Sequence, residues 1–153
     1  MSDDIYYMRL ALDEARKALT EDEVPVGAVV VDENGEVIAC GHNTAEYGQD
    51  ALEHAEVKVM RDACAKCGQR RLWNCSLYVT LEPCPMCAAA VSMMRIKQLV
   101  YGAENPKGGA VQNGVKFFEA KTAHFTPEIV SGLCDEECAG LLKQFFKRKR
   151  AEQ

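Results

Sequence analysis

The chain has 153 residues, of which 48% are hydrophobic and 27% charged, and its formal net charge is -5. A chain of this length folds as one domain whose core needs no disulfides, and the composition excludes a disordered chain and a broad basic surface for nucleic acid. The acidic start Met-Ser-Asp-Asp is unlike a secretory signal, and no apolar run approaches the ~18–20 residues of a membrane span.

The N-terminal half is predicted to form a helix, a β-hairpin and a second helix. Apolar residues at steps of three and four indicate the first helix, and a run of valines followed by Asp-Glu-Asn-Gly indicates the hairpin. The predicted elements are a helix over residues 4–19, strands over 24–31 and 36–40 joined by a turn at 32–35, and a helix over about 52–64 after a polar loop at 42–50.

The C-terminal half is predicted to alternate strands and helices. Pro83 suits the first position of a helix, where its missing N–H group costs nothing. The predicted elements are strands over residues 76–81, 98–101 and 128–130, a helix over about 84–94, and a basic C-terminal helix over about 135–150. Together they describe a single three-layer α/β domain over residues 1–153, built around one sheet.

Two short motifs stand at the starts of the second and third predicted helices. Cys84 and Cys87 are three residues apart, so both sulfurs project from one side of a helix start, where the free N–H groups favour thiolates. Two thiolates and the imidazole of His54 would leave the fourth position of a tetrahedral zinc ion open, as in catalytic sites. Zinc would lower the pKa of a bound water to about 7. Glu56, two residues beyond His54, is the candidate proton shuttle.

Each part of this pattern has a less specific interpretation. His54 alone would be an ordinary surface or buried histidine, and Glu56 alone a solvated helix carboxylate.

A sharper alternative is a non-enzymatic four-cysteine zinc module. Cys64 and Cys67 form a second C-x-x-C pair, and sixteen residues separate Cys67 from Cys84. Against it, Cys64 continues a periodic helix and a predicted strand lies between the two pairs. The remaining cysteines are expected to be packed thiols: Cys40, Cys75, Cys134 and Cys138.

The order H-x-E followed by P-C-x-x-C is the signature of zinc deaminases, and longer segments accompany it. They are EVPVGAV at 23–29, GHN at 41–43, LYVTLEPCPMCA at 77–88, NPKGGA at 105–110, DEECA at 135–139 and FFKRKR at 145–150. Through these segments, which extend over nearly everything from residue 23 to 150, the chain resembles the bacterial tRNA-specific adenosine deaminases of the cytidine deaminase-like superfamily.

The resemblance implies a fold, a reaction and a set of site residues. The fold is a three-layer α/β/α cytidine deaminase-like domain with a mixed five-stranded sheet flanked by helices, and the protein would be a homodimer with one Zn²⁺ per subunit. The reaction is deamination of adenosine to inosine at the wobble position of a tRNA anticodon stem-loop. By resemblance, the metal ligands are His54, Cys84 and Cys87, the proton shuttle is Glu56, the base contact is Asn43, and N–H groups around Ala55 and Cys84 hold base and water.

The resemblance also defines candidate RNA contacts and two departures. Candidate contacts are Asn105, Lys107, Phe145 and Arg148, since five basic residues lie at 143–150 and one of the two adjacent phenylalanines would be free to stack on a base. From charge alone, the basic end is equally compatible with a solvated helix terminus. Relatives commonly have Pro-Thr-Ala where this chain has Ala51-Leu52-Glu53, and often Asp at position 105. Both changes leave the metal ligands and Glu56 untouched.

Two further expectations concern the substrate and the location. A deaminase of a free nucleobase or nucleoside, such as guanine, would use the same zinc site and the same Glu56, and only the basic Phe-Phe ending favours RNA. The absence of a signal pattern and the use of reduced thiols predict a cytoplasmic protein without membrane attachment.

Overall fold

The computed structural model describes residues 2–152; Met1 and Gln153, the two ends of the predicted domain 1–153, lie outside the described residues. Within that range, no helix is both long enough and apolar enough to cross a bilayer. The elements in chain order are α1 (Ser2–Thr20), β1 (Gly27–Val31), β2 (Val37–His42), α2 (Ala55–Cys67), β3 (Ser76–Leu81), α3 (Pro85–Met94), β4 (Gln98–Ala103), a 3-10 turn (Phe117–Glu119), β5 (Glu128–Ser131) and α4 (Asp135–Ala151).

The five strands form one mixed sheet in the order β2-β1-β3-β4-β5. β1 is antiparallel to β2 and β3, whereas β3, β4 and β5 run parallel to one another. The start of β1 therefore lies at the same edge of the sheet as the ends of the other strands, and the Gly27 N–H donates to Thr80 Oγ1 at 3.1 Å across this edge. The predicted mixed five-stranded sheet is confirmed.

Helices cover both faces of the sheet. Successive side chains of a strand point to opposite faces, so β1 sends Ala28 and Val30 into a core with α2 and α3, and Val29 and Val31 into a core with α1 and α4. All of these side chains are buried. The three-layer α/β/α arrangement is confirmed, and the valine-rich strand β1 contributes side chains to both cores.

The predicted starts of β1 and α2 each differ from the structure by three residues. β1 begins at Gly27 rather than residue 24, and α2 begins at Ala55 rather than about residue 52. The Asp50 side chain accepts the Leu52 N–H at 3.0 Å and its carbonyl accepts the Glu53 N–H at 3.0 Å, so residues 50–53 form a turn. This turn delays the helix until His54, whose extended backbone (φ -73, ψ 150) places it at the N-cap.

Candidate active site

Three metal-binding side chains meet where two helices begin. His54 is the N-cap of α2 and Cys84 the N-cap of α3, and neither side chain is used to cap its own helix. His54 Nδ1 lies 3.6 Å from Cys84 Sγ and 3.6 Å from Cys87 Sγ. Tetrahedral zinc with ordinary Zn–N and Zn–S bonds separates a nitrogen from a sulfur ligand by about 3.5 Å. The donor set and its spacing therefore fit zinc.

The electrostatics of the trio favour the thiolate form of Cys84. The hydrogen bond with Cys87 lowers the pKa of the Cys84 thiol to about 4, and the same bond raises the pKa of Cys87. The hydrogen bond with Cys84 raises the pKa of His54. At neutral pH the trio thus contains at least one thiolate, which is the form of cysteine that binds metal.

Glu56 lies beside the trio on the first turn of α2 and is buried. Burial raises the pKa of its carboxyl to about 7. A carboxyl that titrates near neutral pH can both accept and return a proton, which is what a general acid–base group requires. Glu56 also lines a cavity of about 200 Å³ whose walls include His54, Cys84 and Asn43.

The predicted base contacts are close to this cavity. Asn43, directly after β2, is buried and lines the cavity, and its N–H donates to the Val26 carbonyl at 3.0 Å. Ala55 is fully buried between His54 and Glu56 at the first position of α2. The remaining lining residues are Val24, Val26, Leu81, Glu82 and Asn105.

A larger cavity of about 650 Å³ adjoins the first and shares Val24, Leu81 and Asn105 with it. We call it the outer groove. One wall is the loop that follows β4 and includes Asn105 and Lys107, both predicted as substrate contacts. The opposite wall is α4, which contributes Leu142, Phe146 and Arg150.

Two predicted contacts, Phe145 and Arg148, do not lie in either cavity. Phe145 is 5% exposed, whereas Phe146 is 46% exposed. Arg148 lies over the Phe145 ring and donates to Asp22 Oδ1 at 3.2 Å. Positions 142, 146 and 150 are four residues apart and share one face of the helix. The structure therefore places Phe146 and Arg150, rather than Phe145 and Arg148, beside the outer groove. The i, i+4 spacing could be read from the sequence, but it does not say which face of the helix meets the groove.

The alternative four-cysteine zinc module is wrong. The Cys64 thiol donates to Met94 Sδ at 3.5 Å, and Cys67 is exposed at the end of α2. Within residues 2–152, the one group of three or more side chains placed to hold a metal is the His54 trio. Of the cysteines predicted to be packed, Cys75 and Cys138 are buried and Cys134 is half-buried, but Cys40 is exposed on the edge strand β2.

Sequence reasoning did not single out Glu82, which is 1% exposed between β3 and Cys84. Burial alone would raise the pKa of its carboxyl, but hydrogen bonds from Asn105, Asn113 and Val111 hold that pKa below its usual value. A glutamate between a buried strand and a proline was the available signal, because such a position offers the carboxylate little access to solvent.

Residues 1–103 match the family model described as the cytidine and deoxycytidylate deaminase zinc-binding region. The chain is 51% identical over 152 residues to a tRNA-specific adenosine deaminase of Agrobacterium fabrum (strain C58 / ATCC 33970), covering 99% of both chains. It is 44% identical over 153 residues to a tRNA-specific adenosine deaminase of Bacillus subtilis (strain 168), covering 100% of this chain and 94% of that one.

The chain is also similar to proteins whose structures have been solved. A chain from a study of A-to-I editing by tRNA:A34 deaminases at the wobble position of transfer RNA is 52% identical, with a TM-score of 0.88, and the match covers 90% of this chain and 99% of that one. A guanine deaminase from Bacillus subtilis is 37% identical with a TM-score of 0.61, over 65% of this chain and 63% of that one.

Proposed function

The chain belongs to the tRNA-specific adenosine deaminases, within the cytidine and deoxycytidylate deaminase zinc-binding family, and from this we propose that it converts adenosine to inosine at the wobble position of a tRNA anticodon. One observation carries the proposal. The base-sized cavity beside Glu56 and the metal trio opens into an outer groove that a free base would not need. An unpaired anticodon base can enter such a cavity at little cost, because it is not held in a duplex.

The chemistry divides between the metal and Glu56. His54, Cys84 and Cys87 would hold one Zn²⁺ per chain, which, when bound, activates a water as the nucleophile. The Glu56 carboxylate takes up the released proton and places it on ring nitrogen N1, so that C6 becomes more electrophilic. The hydroxyl oxygen adds at C6, and Glu56 takes the proton that remains on that oxygen and passes it to the amino group. The C6–N bond then breaks, so that ammonia leaves and the C6 carbonyl of inosine remains. Burial of Glu56 supports this role, because it keeps the carboxyl pKa close to neutral pH.

The remaining contacts follow from the two cavities. Asn43 would hydrogen-bond the target base, and N–H groups around Ala55 and Cys84 would help to hold base and water. Asn105 and Lys107 on one wall of the outer groove, with Phe146 and Arg150 on the other, would take the flanking nucleotides by hydrogen bonding, stacking and phosphate contact.

The proposal includes an assembly and a location. Met93 on α3 is 70% exposed, and the neighbouring Ser92 hydroxyl donates to the carbonyl of Phe125, whose ring packs against Trp73. A second copy of the chain would cover this apolar surface in a homodimer. We place the protein in the cytoplasm, where a tRNA substrate of this kind is found.

A free-base deaminase is the second candidate. The observation that supports it is the likeness to a guanine deaminase over about two thirds of the chain, since one fold can serve different substrates. The test compares kcat/KM for an anticodon stem-loop with adenosine at the wobble position against kcat/KM for guanine and for free adenosine. We expect the stem-loop to be preferred by at least about 10³-fold, since it alone fills the outer groove. Equal or greater activity on guanine would favour the second candidate.

A further inference from the structure

The carboxylate of Glu82 accepts five hydrogen bonds although it lies inside the protein. Its Oε2 accepts the backbone N–H groups of Val111, Gln112 and Asn113 at 2.9–3.1 Å, and its Oε1 accepts the Asn105 N–H at 2.9 Å and Asn113 Nδ2 at 2.8 Å. No lysine or arginine pairs with it among residues 2–152. The charge is stabilised by N–H groups alone, four of which belong to the backbone of one loop.

This loop, residues 104–113, closes tightly around the carboxylate. A Cβ atom at Gly109 would lie 2.5 Å from Glu82 Cδ and 2.6 Å from the Asn105 carbonyl oxygen, so only glycine fits there without movement. The loop also bonds to the chain beside Glu82, since the Ala110 N–H donates to the Pro83 carbonyl at 2.9 Å. Because Glu82 is buried and the loop closes tightly around it, the loop bonds to the carboxylate in one arrangement only.

The same loop is a wall of the substrate cavities. Asn105 lines both cavities, and Lys107 and Gly108 line the outer groove. Glu82 itself is two residues from Cys84, a member of the metal trio. One side chain therefore connects the turn that carries a metal ligand with the loop that forms the groove wall.

We propose that Glu82 is a positioning residue, whose buried carboxylate holds the loop of residues 104–113 against the Cys84 turn and so sets the width of the outer groove. Glu82 does not act on the reacting atoms in this account. The inference rests on the proposed function for what the groove binds, but the hold on the loop can be measured without any substrate.

The first test is amide hydrogen exchange in zinc-loaded protein carrying Glu82→Gln. Glutamine keeps the shape but replaces one acceptor oxygen with an NH₂ group, which must then face at least two N–H donors. A hydrogen bond to a charged group changes a local opening equilibrium by about tenfold or more. We therefore expect at least about tenfold faster exchange than in the wild type at the amides that the NH₂ group faces, which are those of residues 111–113 or that of Asn105. Unchanged exchange there would overturn the proposal.

The second test separates positioning from general stability by kinetics on the anticodon stem-loop. We expect Glu82→Gln to raise KM by about tenfold and to change kcat by less than about threefold, because the loop contributes binding rather than chemistry. The matched control is Glu14→Gln, a buried carboxylate bonded to His42 and Lys17 on the α1 side of the sheet, which should leave both KM and loop exchange unchanged. A fall in kcat with unchanged KM would contradict the proposal.

Gly109→Ala provides a variant with the carboxylate intact. Its added Cβ must displace the loop from Glu82, so faster exchange at residues 111–113 and a higher KM are expected again. If the wild type leaves the stem-loop unconverted, the proposed function fails, whereas the exchange rates of Glu82→Gln and Gly109→Ala still decide whether Glu82 holds the loop. Wild-type exchange in both variants would overturn the inference by itself.

Discussion

Each residue of the metal trio owes its position to the first turn of a helix. His54 and Cys84 occupy N-cap positions with extended backbones, and Cys87 follows Cys84 by three residues on the same helix face. This local geometry is encoded by short motifs, so the metal ligands and Glu56 could be proposed from the sequence before any tertiary contact was known.

Substitutions in the two C-x-x-C pairs should have opposite effects on zinc binding. Replacing Cys84 or Cys87 by Ser should reduce bound zinc well below one ion per chain, because two remaining ligands bind zinc far more weakly than three. Replacing Cys64 or Cys67 by Ser should leave zinc unchanged, since these thiols lie outside the trio. Metal analysis of the purified variants measures this. Loss of zinc in the Cys64 or Cys67 variants would contradict the assignment.

Other single residues could not be assigned from the sequence. The sequence position of Glu82 is unusual, but the hydrogen-bond partners of its carboxylate are seen only in the structure, because they lie 23 to 31 positions away in the chain. Phe145 and Phe146 are chemically identical and adjacent, so the choice of which one is buried depends on how α4 packs against the sheet and not on the residues themselves.

Two faces of the helix α4 make different contacts. Phe145 faces the core, and Arg148 and Lys149 pair with Asp22 after the end of α1, which attaches the helix to the domain. Phe146 and Arg150 face the outer groove. Two of the five basic residues predicted to meet RNA are therefore engaged within the protein, and the charge pattern alone could not separate them from the others.

This division predicts different salt dependences for two arginine variants. Arg150→Ala should weaken stem-loop binding and reduce the slope of log K against log salt by about 0.7–0.9, the value for one lost phosphate contact. Arg148→Ala is the matched control and should keep the wild-type slope, because its guanidinium is bonded to Asp22 and the Leu19 carbonyl. Binding titrations at several salt concentrations measure both. The reverse pattern would assign the RNA contact to Arg148.

Predicted elements and observed elements agree in order and type across the sheet and the four helices of the described residues. The start of α2 differs because the Asp50 side chain bonds to the Leu52 N–H and delays the helix. Periodicity reports which face of an element is apolar, but it does not report such local competition for backbone N–H groups.

At the scale of the whole molecule, the proposed homodimer can be tested by a substitution on α3. Met93→Glu places a charge at the exposed position on α3 that the second copy would cover, so it should convert the proposed dimer to a monomer at micromolar concentration. Sedimentation equilibrium of the wild type and the variant measures the mass directly. Lys66→Glu, on the surface of α2, is a control that should leave the mass unchanged. A wild type that is monomeric at all concentrations would remove the homodimer from the account.

Glu56 is the residue on which the proposed reaction depends most, because it moves both protons beside the metal trio. The decisive measurement is inosine formation in an anticodon stem-loop with adenosine at the wobble position, by zinc-replete wild type and by Glu56→Ala. We predict conversion by the wild type, and a variant that keeps its zinc but is slower by at least about 10³-fold, because both proton transfers are lost. Near-wild-type turnover by Glu56→Ala, or no inosine from folded, zinc-replete wild type, would contradict the account.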